Sequence, residues 1–108
     1  MLEWNRLMQT CVNRKGSDIL LIAGMRPFLR IPKLGLSEFQ VAPITAEEIA
    51  TLLSELSKWQ KEKRKDGLSQ FDVPFQKPTW FRVVSFGGAN PQMAIAMLMK
   101  APMKATLR

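Results

Sequence analysis

Residues 15–32 read KGSDILLIAGMRPFLRIP, and this stretch decides the fold class. Four apolar residues follow Asp18, which predicts a central strand that is buried on both faces. Gly24 and Pro27 are typical of a tight reversal, so we expect a second strand at 28–31 to pair with the first. We expect the Asp18 carboxylate to accept hydrogen bonds from nearby backbone N–H groups and to fix the start of the central strand.

An amphipathic helix is predicted before this strand, over residues 2–14. Its apolar residues recur three and four positions apart, as they do on one face of a helix. They are Trp4, Leu7, Met8, Cys11 and Val12. Gly16 is placed to end the helix in a left-handed conformation. Cys11 is expected to be a small core residue rather than a nucleophile, because free cysteines are commonly buried.

A second helix is predicted at 46–57 by the signals at its start. Thr45 and Glu48 have the Thr-x-x-Glu spacing of a capping box, in which each side chain satisfies a backbone N–H of the first turn. Ile44 and Ile49 have the spacing of a hydrophobic staple across the same turn. This helix therefore has a defined start and a buried face.

The remaining elements are predicted from the distribution of charge and from the alternation of apolar and polar residues. Residues 58–67, KWQKEKRKDG, predict a solvated helix that ends at Gly67. Four further strands are predicted at 37–41, 71–75, 79–86 and 92–100. The last two are joined by Gly-Gly-Ala-Asn-Pro, which favours a hairpin. The expected class is α+β, with helices covering one face of a mainly antiparallel sheet.

Composition excludes several kinds of function. The chain has 108 residues, a length that suits a single domain over 1–108, with 101–108 as a tail or the start of a linker. It has 1 cysteine and no histidine, so we expect no typical zinc site, no metal site and no histidine-based catalytic residues. No apolar run is long enough to span a membrane, so we expect no membrane insertion and a cytoplasmic protein. The net charge of +7 favours anionic partners.

An ordered set of motifs resembles one known family. KGSDILLIAGMRPFLRI, PITAEEIATLLSEL, KWQKEKRKDG, QFDVPF and TWFRVVSF occur in this order. Together they resemble the N-terminal domain of the PilT-type twitching-motility ATPases, the retraction motors of type IV pili within the type II secretion ATPase family. The resemblance covers about residues 5–100, and it implies a PAS-like fold.

The resemblance implies a non-catalytic assembly or regulatory module. In the family this domain packs against the ATPase domain of the same or a neighbouring subunit of a hexameric ring, so a homo-oligomer is one expected state. It also implies a cytoplasmic location, with the inner face of the membrane reached through a pilus or secretion machine. Full-length relatives bind ATP. No glycine in this chain is followed by lysine, so the phosphate-binding loop is missing, and we expect no ATPase activity and no cofactor in this chain.

The resemblance also implies contacts to nucleotide phosphates across a subunit boundary. Family arginines on the last strands approach the phosphates, and Arg82 matches one of them. The companion position is Trp80 here, and the later arginines fall on Asn90 and about Met97. Lys100 is the nearby cation on the final strand. From the residues alone, Arg82 is expected either to reach solvent at the rim of the sheet or to pair with an acid such as Asp72.

Two other functions remain open at the level of sequence. One is binding of nucleic acid through the basic segment, although this surface also fits a protein interaction or a merely solvated helix. Its cations are Lys58, Lys61, Lys63, Arg64 and Lys65. Trp59 is the single aromatic residue among them, whereas stacking platforms for bases usually have more, so no specific nucleic-acid partner is expected. The other function is small-molecule sensing in a pocket lined by methionines.

Overall fold

A computed structural model of the chain describes residues 2–100 and contains one sheet and two α-helices. The elements are α1 (Trp4–Asn13), β1 (Asp18–Ile22), β2 (Phe28–Ile31), β3 (Gly35–Glu38), α2 (Ala46–Ser54), a 3-10 turn (Ser57–Trp59), β4 (Gln60–Lys63), β5 (Ser69–Pro74), β6 (Trp80–Phe86) and β7 (Met93–Met99). The predicted α+β class and the mainly antiparallel sheet are confirmed. The predicted tail at 101–108 lies outside the described residues.

The seven strands have the order β3-β2-β1-β7-β6-β5-β4, and every neighbouring pair is antiparallel. Strand β1 therefore lies in the interior of the sheet, as its apolar sequence predicts, and its neighbours are β2 and β7. The reversal between β1 and β2 and the hairpin between β6 and β7 are also confirmed. Burial of β1 on both faces is only partly correct. Ile19 and Leu21 are buried, whereas Leu20 and Ile22 are half-buried, because the helices cover one face only.

The hydrophobic core lies between the helices and that covered face. Its largest fully buried apolar side chains come from both helices and from three strands: Leu7, Met8, Ile19, Leu21, Leu29, Ile49, Phe81 and Val83. Trp4 joins the two helices, since its indole Nε1 donates a hydrogen bond to the Leu52 carbonyl oxygen at 2.6 Å. Among residues 2–100, no helix is long and apolar enough to cross a membrane.

The capping box of α2 is present as predicted. The Thr45 hydroxyl accepts from the Glu48 N–H at 3.0 Å, and the Glu48 carboxylate accepts from the Thr45 N–H at 2.9 Å. Ile44 and Ile49 are both buried. The helix ends at Ser54, three residues before the predicted end. The Leu56 N–H bonds the Leu53 carbonyl oxygen at 3.0 Å, so the last turn tightens into 3-10 geometry.

The predicted solvated helix at 58–67 is wrong. The segment forms the short 3-10 turn and the edge strand β4, which pairs with β5. The hairpin closes through Asp66 and Gly67: the Leu68 N–H donates to the Asp66 carboxylate at 3.2 Å, and Gly67 has φ +94°. Asp-Gly between two segments is a strong hairpin signal that the charge pattern concealed. Exposed charges also suit an edge strand, because they oppose pairing with other chains.

Two local expectations are corrected at turns. Strand β3 begins at Gly35 rather than at 37, because Lys33 and Gly35 have positive φ values of 73° and 99° and reverse the chain early. At the end of α1, the left-handed residue is Lys15, with φ 59°, and not Gly16. Glycine is required at position 16 for another reason, because there is no room for a side chain. A Cβ atom there would lie 2.5 Å from Leu29 Cδ1 and 3.1 Å from Cys11 Sγ.

Replacing Gly16 with alanine is expected to lower the free energy of unfolding by about 2 kcal/mol, because the new methyl group overpacks the core and Leu29 has to move. Urea unfolding followed by circular dichroism measures the loss. Gly24→Ala is a comparison at a site with open space around the Cβ position, where the strain comes from the positive φ of 88° alone. The double variant Gly16→Ala/Leu29→Ala should be more stable than the sum of the two single losses predicts. If its loss equals that sum, steric overlap with Leu29 is not the cause.

Candidate interaction surface on the open face of the sheet

The sheet has a second face, here called the open face, which no helix or strand of residues 2–100 covers. It contains the alternate residues of each strand that point away from the core. A shallow depression of about 500 Å³ lies on it, lined by Asp18, Leu20, Arg30, Leu36, Ile95 and Met97. Leu36 is 61% exposed. The open face therefore presents apolar side chains to the surroundings beside charged ones.

One line of directly opposed residues crosses six strands of the open face, and we call it the cross-sheet row. Its members, from β3 to β5, are Leu36, Arg30, Asp18, Met97, Arg82 and Asp72. Residues that are directly opposed in antiparallel strands share a face and interact. The row therefore places one Asp–Arg pair on either side of Met97.

The Asp72–Arg82 pair is the more buried of the two. Arg82 Nε lies 3.1 Å from Asp72 Oδ1, and Arg82 Nη2 lies 3.3 Å from Oδ2, a two-point contact between guanidinium and carboxylate. Asp72 is only 1% exposed, and Gln70 Nε2 donates to it at 3.3 Å. The guanidinium also lies over the Trp80 ring, 5.1 Å from its centroid. The expected pairing of Arg82 with Asp72 is confirmed.

The Asp18–Arg30 pair is looser and more exposed. Arg30 Nη1 lies 3.8 Å from Asp18 Oδ2, and the Ser17 hydroxyl donates to the same oxygen at 2.8 Å. The expectation that backbone N–H groups hold Asp18 is wrong for residues 2–100, where its hydrogen-bond donor is this hydroxyl. The physical reason is position. In a central strand, backbone N–H groups bond the neighbouring strands, and the Asp18 side chain lies on the open face.

The structure does not bring the two predicted phosphate-contacting residues together. Lys100 is exposed and directly follows β7. It lies three residues after Met97, the residue opposite Arg82, so strand alternation does not place it on the open face with Arg82. Arg82 alone of these two belongs to the cross-sheet row.

The basic cluster lies at the far edge of the sheet, on the 3-10 turn, β4 and the turn that follows. All five of its cations are exposed: Lys58, Lys61, Lys63, Arg64 and Lys65. Lys58 Nζ lies 4.6 Å from the centroid of the Trp59 ring, and Arg64 forms an ion pair with Asp66 at 2.7 Å. Strand β5 separates the cluster from Arg82.

We expect DNA or RNA to bind this cluster only weakly, with affinity that falls steeply as salt rises. A few cations on a short edge strand contribute mainly counterion release, which carries no sequence information. Fluorescence anisotropy with labelled single-stranded and duplex oligonucleotides, from low to physiological ionic strength, measures this. Submicromolar binding that depends on sequence at physiological salt would contradict the expectation.

Cys11 does not form part of a reactive site. It is fully buried, and burial raises the pKa of its thiol to about 11, with a further contribution from the negative charge of Asp18. A thiol with so high a pKa is a poor nucleophile at neutral pH. The expected role of Cys11 as a core residue is confirmed. In the described part of the chain, no group of three or more cysteine, aspartate or glutamate residues could hold a metal ion.

Solved structures of two ATPases contain this fold. Superposition on the crystal structure of the pilus retraction motor PilT with bound ADP gives a TM-score of 0.73 over 94% of this chain, at 18% sequence identity. The fold is similar to part of PilT. A second likeness, to the Legionella pneumophila ATPase DotB, has a TM-score of 0.58 over 96% of this chain, at 12% identity. No family model and no curated protein matches the sequence.

The likeness confirms the resemblance that the motifs indicate, at the level of the fold. This chain spans 30% of the length of PilT and 31% of the length of DotB. At 18% identity to PilT, the match concerns backbone architecture and assigns no role to an individual side chain. Any role of the cross-sheet row must therefore be argued from the geometry of its residues in this structure.

Proposed function

We propose that this chain is a non-catalytic assembly or regulatory module of a type IV pilus or secretion ATPase. It packs through its open face against an ATPase domain of the same or a neighbouring subunit. The observation that carries the proposal is the PilT-like fold, which covers almost the whole chain and only 30% of PilT. The corresponding location is the cytoplasm, at the inner face of the membrane when the machine is assembled.

The open face supports this proposal because it presents apolar side chains at the surface, and an isolated monomer does not need apolar side chains there. Leu36 is exposed, and Leu20, Ile95 and Met97 around it are half-buried. Apolar side chains in one patch, flanked by charged ones, are typical of a surface that another protein covers. The flanking Asp18–Arg30 pair supplies polar groups at the rim of the depression.

The catalytic part of such a machine would be supplied by the partner. The sequence has no Gly-x-x-x-x-Gly-Lys-Ser/Thr loop to hold nucleotide phosphates. The purified chain is therefore expected to release no phosphate from ATP above background. Turnover that copurifies with the chain through a second, different column, and scales with its amount, would contradict a non-catalytic role.

The resemblance implies that Arg82 and Lys100 contact nucleotide phosphates. This proposal keeps such a contact mainly for Lys100. Two N–H groups of Arg82 already bond Asp72, so we assign Arg82 first to the stability of the open face. Lys100 is exposed and is the better placed of the two to reach an anion on a neighbouring subunit. The basic cluster is a second, independent surface for an acidic partner.

Two leucines near one edge of the sheet offer a matched test of the packing. Leu36 lies on the open face and lines its depression, whereas Leu34 lies in the preceding turn, is 80% exposed and does not line it. Leu36→Glu is expected to weaken association with the purified ATPase domain of a pilus retraction motor at least about tenfold, since it places a charge in an apolar contact. Leu34→Glu should change it less than about twofold.

Sedimentation velocity or biolayer interferometry measures the association, and unchanged thermal melting shows that both variants fold. Equal losses for Leu34→Glu and Leu36→Glu would show that the open face is not the contact. The absence of any association between the unmodified chain and such a domain, at concentrations where the ring assembles, would overturn the proposed function itself.

A further inference from the structure

A second concavity lies on the other side of the molecule, where the end of α2 meets the β4–β5 hairpin and the β6–β7 turn. It is an open groove of about 390 Å³. This volume is within the range of small-molecule sites, which are mostly apolar and contain a few convergent polar groups. The groove is distinct from the open face, because its floor belongs to the helix-covered side of the sheet.

The floor of the groove contains a row of polar residues within that covered side. Lys63, Ser69 and Ser85 lie directly opposite one another on β4, β5 and β6, and all three line the groove. Ser85 is 3% exposed and lines the groove. A serine hydroxyl can donate one hydrogen bond and accept two, so Ser85 places a polar group on the floor of the groove.

The rim of the groove is basic and includes two close turns. Lys63 and Arg64 line it from β4 and the turn that follows, and no carboxylate of residues 2–100 lies within ion-pair distance of Lys63. Gly67 and Gly88 hold the two turns together, since the Gly88 N–H donates to the Gly67 carbonyl oxygen at 3.0 Å. A Cβ atom on Gly67 would lie 3.1 Å from the Gly88 nitrogen, so glycine permits this approach.

The inner wall of the groove is apolar. Ala50 and Leu53 contribute from α2, and Phe71 and Pro91 contribute from the sheet side. The carbonyl end of α2 also lies here, and the negative end of a helix dipole disfavours an anion. A bound molecule would therefore place an apolar ring against Leu53 and Phe71, and its negative charge at the Lys63 side.

From this arrangement we propose that the groove binds a small heteroaromatic monophosphate, such as a mononucleotide. The ring lies between α2 and the floor, where Ser85 and Ser69 hydrogen-bond its polar edge. The phosphate lies at the rim against Lys63, because Arg64, which also lines the rim, already pairs with Asp66 at 2.7 Å. This inference is independent of the proposed packing through the open face, because the two surfaces share no residue.

The test is a titration of the full chain with adenosine 5′-monophosphate, followed by 1H–15N NMR, with adenosine and inorganic phosphate as separate probes. We expect saturable shifts at the Ser69, Ser85, Gly67 and Gly88 amides. Adenosine and phosphate alone should each bind at least about tenfold more weakly, since each lacks half of the contacts. Ser85→Ala should raise the Kd about threefold through the loss of one hydrogen bond.

Lys63 and Lys61 give the matched pair for the charge. Both lie on β4 and are exposed, but only Lys63 lines the groove. Lys63→Gln is expected to raise the Kd about tenfold, as for the loss of a charged hydrogen bond, and Lys61→Gln less than twofold. Equal effects of the two substitutions, shifts outside the groove, or binding of phosphate as tight as that of the nucleotide would each overturn the proposal.

Discussion

Replacing Trp4 with alanine is expected to lower the free energy of unfolding by about 4 kcal/mol. Trp4 is 6% exposed and belongs to the hydrophobic core. Its loss removes a large apolar side chain and also leaves the Leu52 carbonyl oxygen without the indole N–H that now bonds it at 2.6 Å. Because a domain of this size is stable by about 5–15 kcal/mol in total, this single change endangers folding.

Chemical denaturation in urea measures the effect, and Trp4→Phe separates its two parts. Phenylalanine keeps most of the apolar area but has no N–H group to donate, so we expect a loss of about 2 kcal/mol for this variant. If Trp4→Ala and Trp4→Phe destabilise the protein equally, the hydrogen bond dominates over packing. A loss below about 1 kcal/mol for Trp4→Ala would contradict the assignment of Trp4 as the link between α1 and α2.

The second large effect is expected at Arg82. Arg82→Gln should lower the free energy of unfolding by about 3 kcal/mol, since it leaves the carboxylate of Asp72 buried without its cation. Arg30→Gln is the matched control on the same row. Its partner Asp18 is 3.8 Å away, and the Arg30 side chain is 66% exposed, so we expect a loss below about 1 kcal/mol.

A double-mutant cycle of Asp72→Asn and Arg82→Gln isolates the pair from the other contacts of each residue. The double variant should be less destabilised than the sum of the single variants, because neither charge then remains alone. Additive losses would show that the pair has no energetic coupling. A normal melting temperature for Arg82→Gln, with lost association to an ATPase domain, would replace the structural role of Arg82 with a functional one.

Local signals in the sequence predicted most of the elements, because their causes are local. The capping box at Thr45 and Glu48 and the alternation in β6 depend on residues that are close in the chain. The predicted helix at 58–67 is wrong because the charges of this segment fit a solvated helix as well as an edge strand. The strand is favoured because the segment pairs with Ser69 and its neighbours on β5. The only sequence signal for this pairing is the Asp-Gly turn.

The candidate surfaces were less predictable, since they depend on register between strands that are distant in sequence. The pairing of Arg82 with Asp72 is predictable because one hairpin joins their strands. The whole cross-sheet row is not, because the pairing of β1 with β7 cannot be derived from the order of elements alone. The same holds for the groove, where Ser85 has no sequence signal beyond a polar residue among apolar ones.

The place of β1 between β2 and β7 has a consequence for how the chain folds during synthesis. Strand β1 is made before the other strands of its sheet, and its partner β7 is made after them. Until β7 is made, β1 exposes one complete row of N–H and C=O groups beside apolar side chains. Such an edge recruits other chains, and pairing over so long a separation is slow. The nascent sheet is therefore most vulnerable to aggregation just before β7 is made.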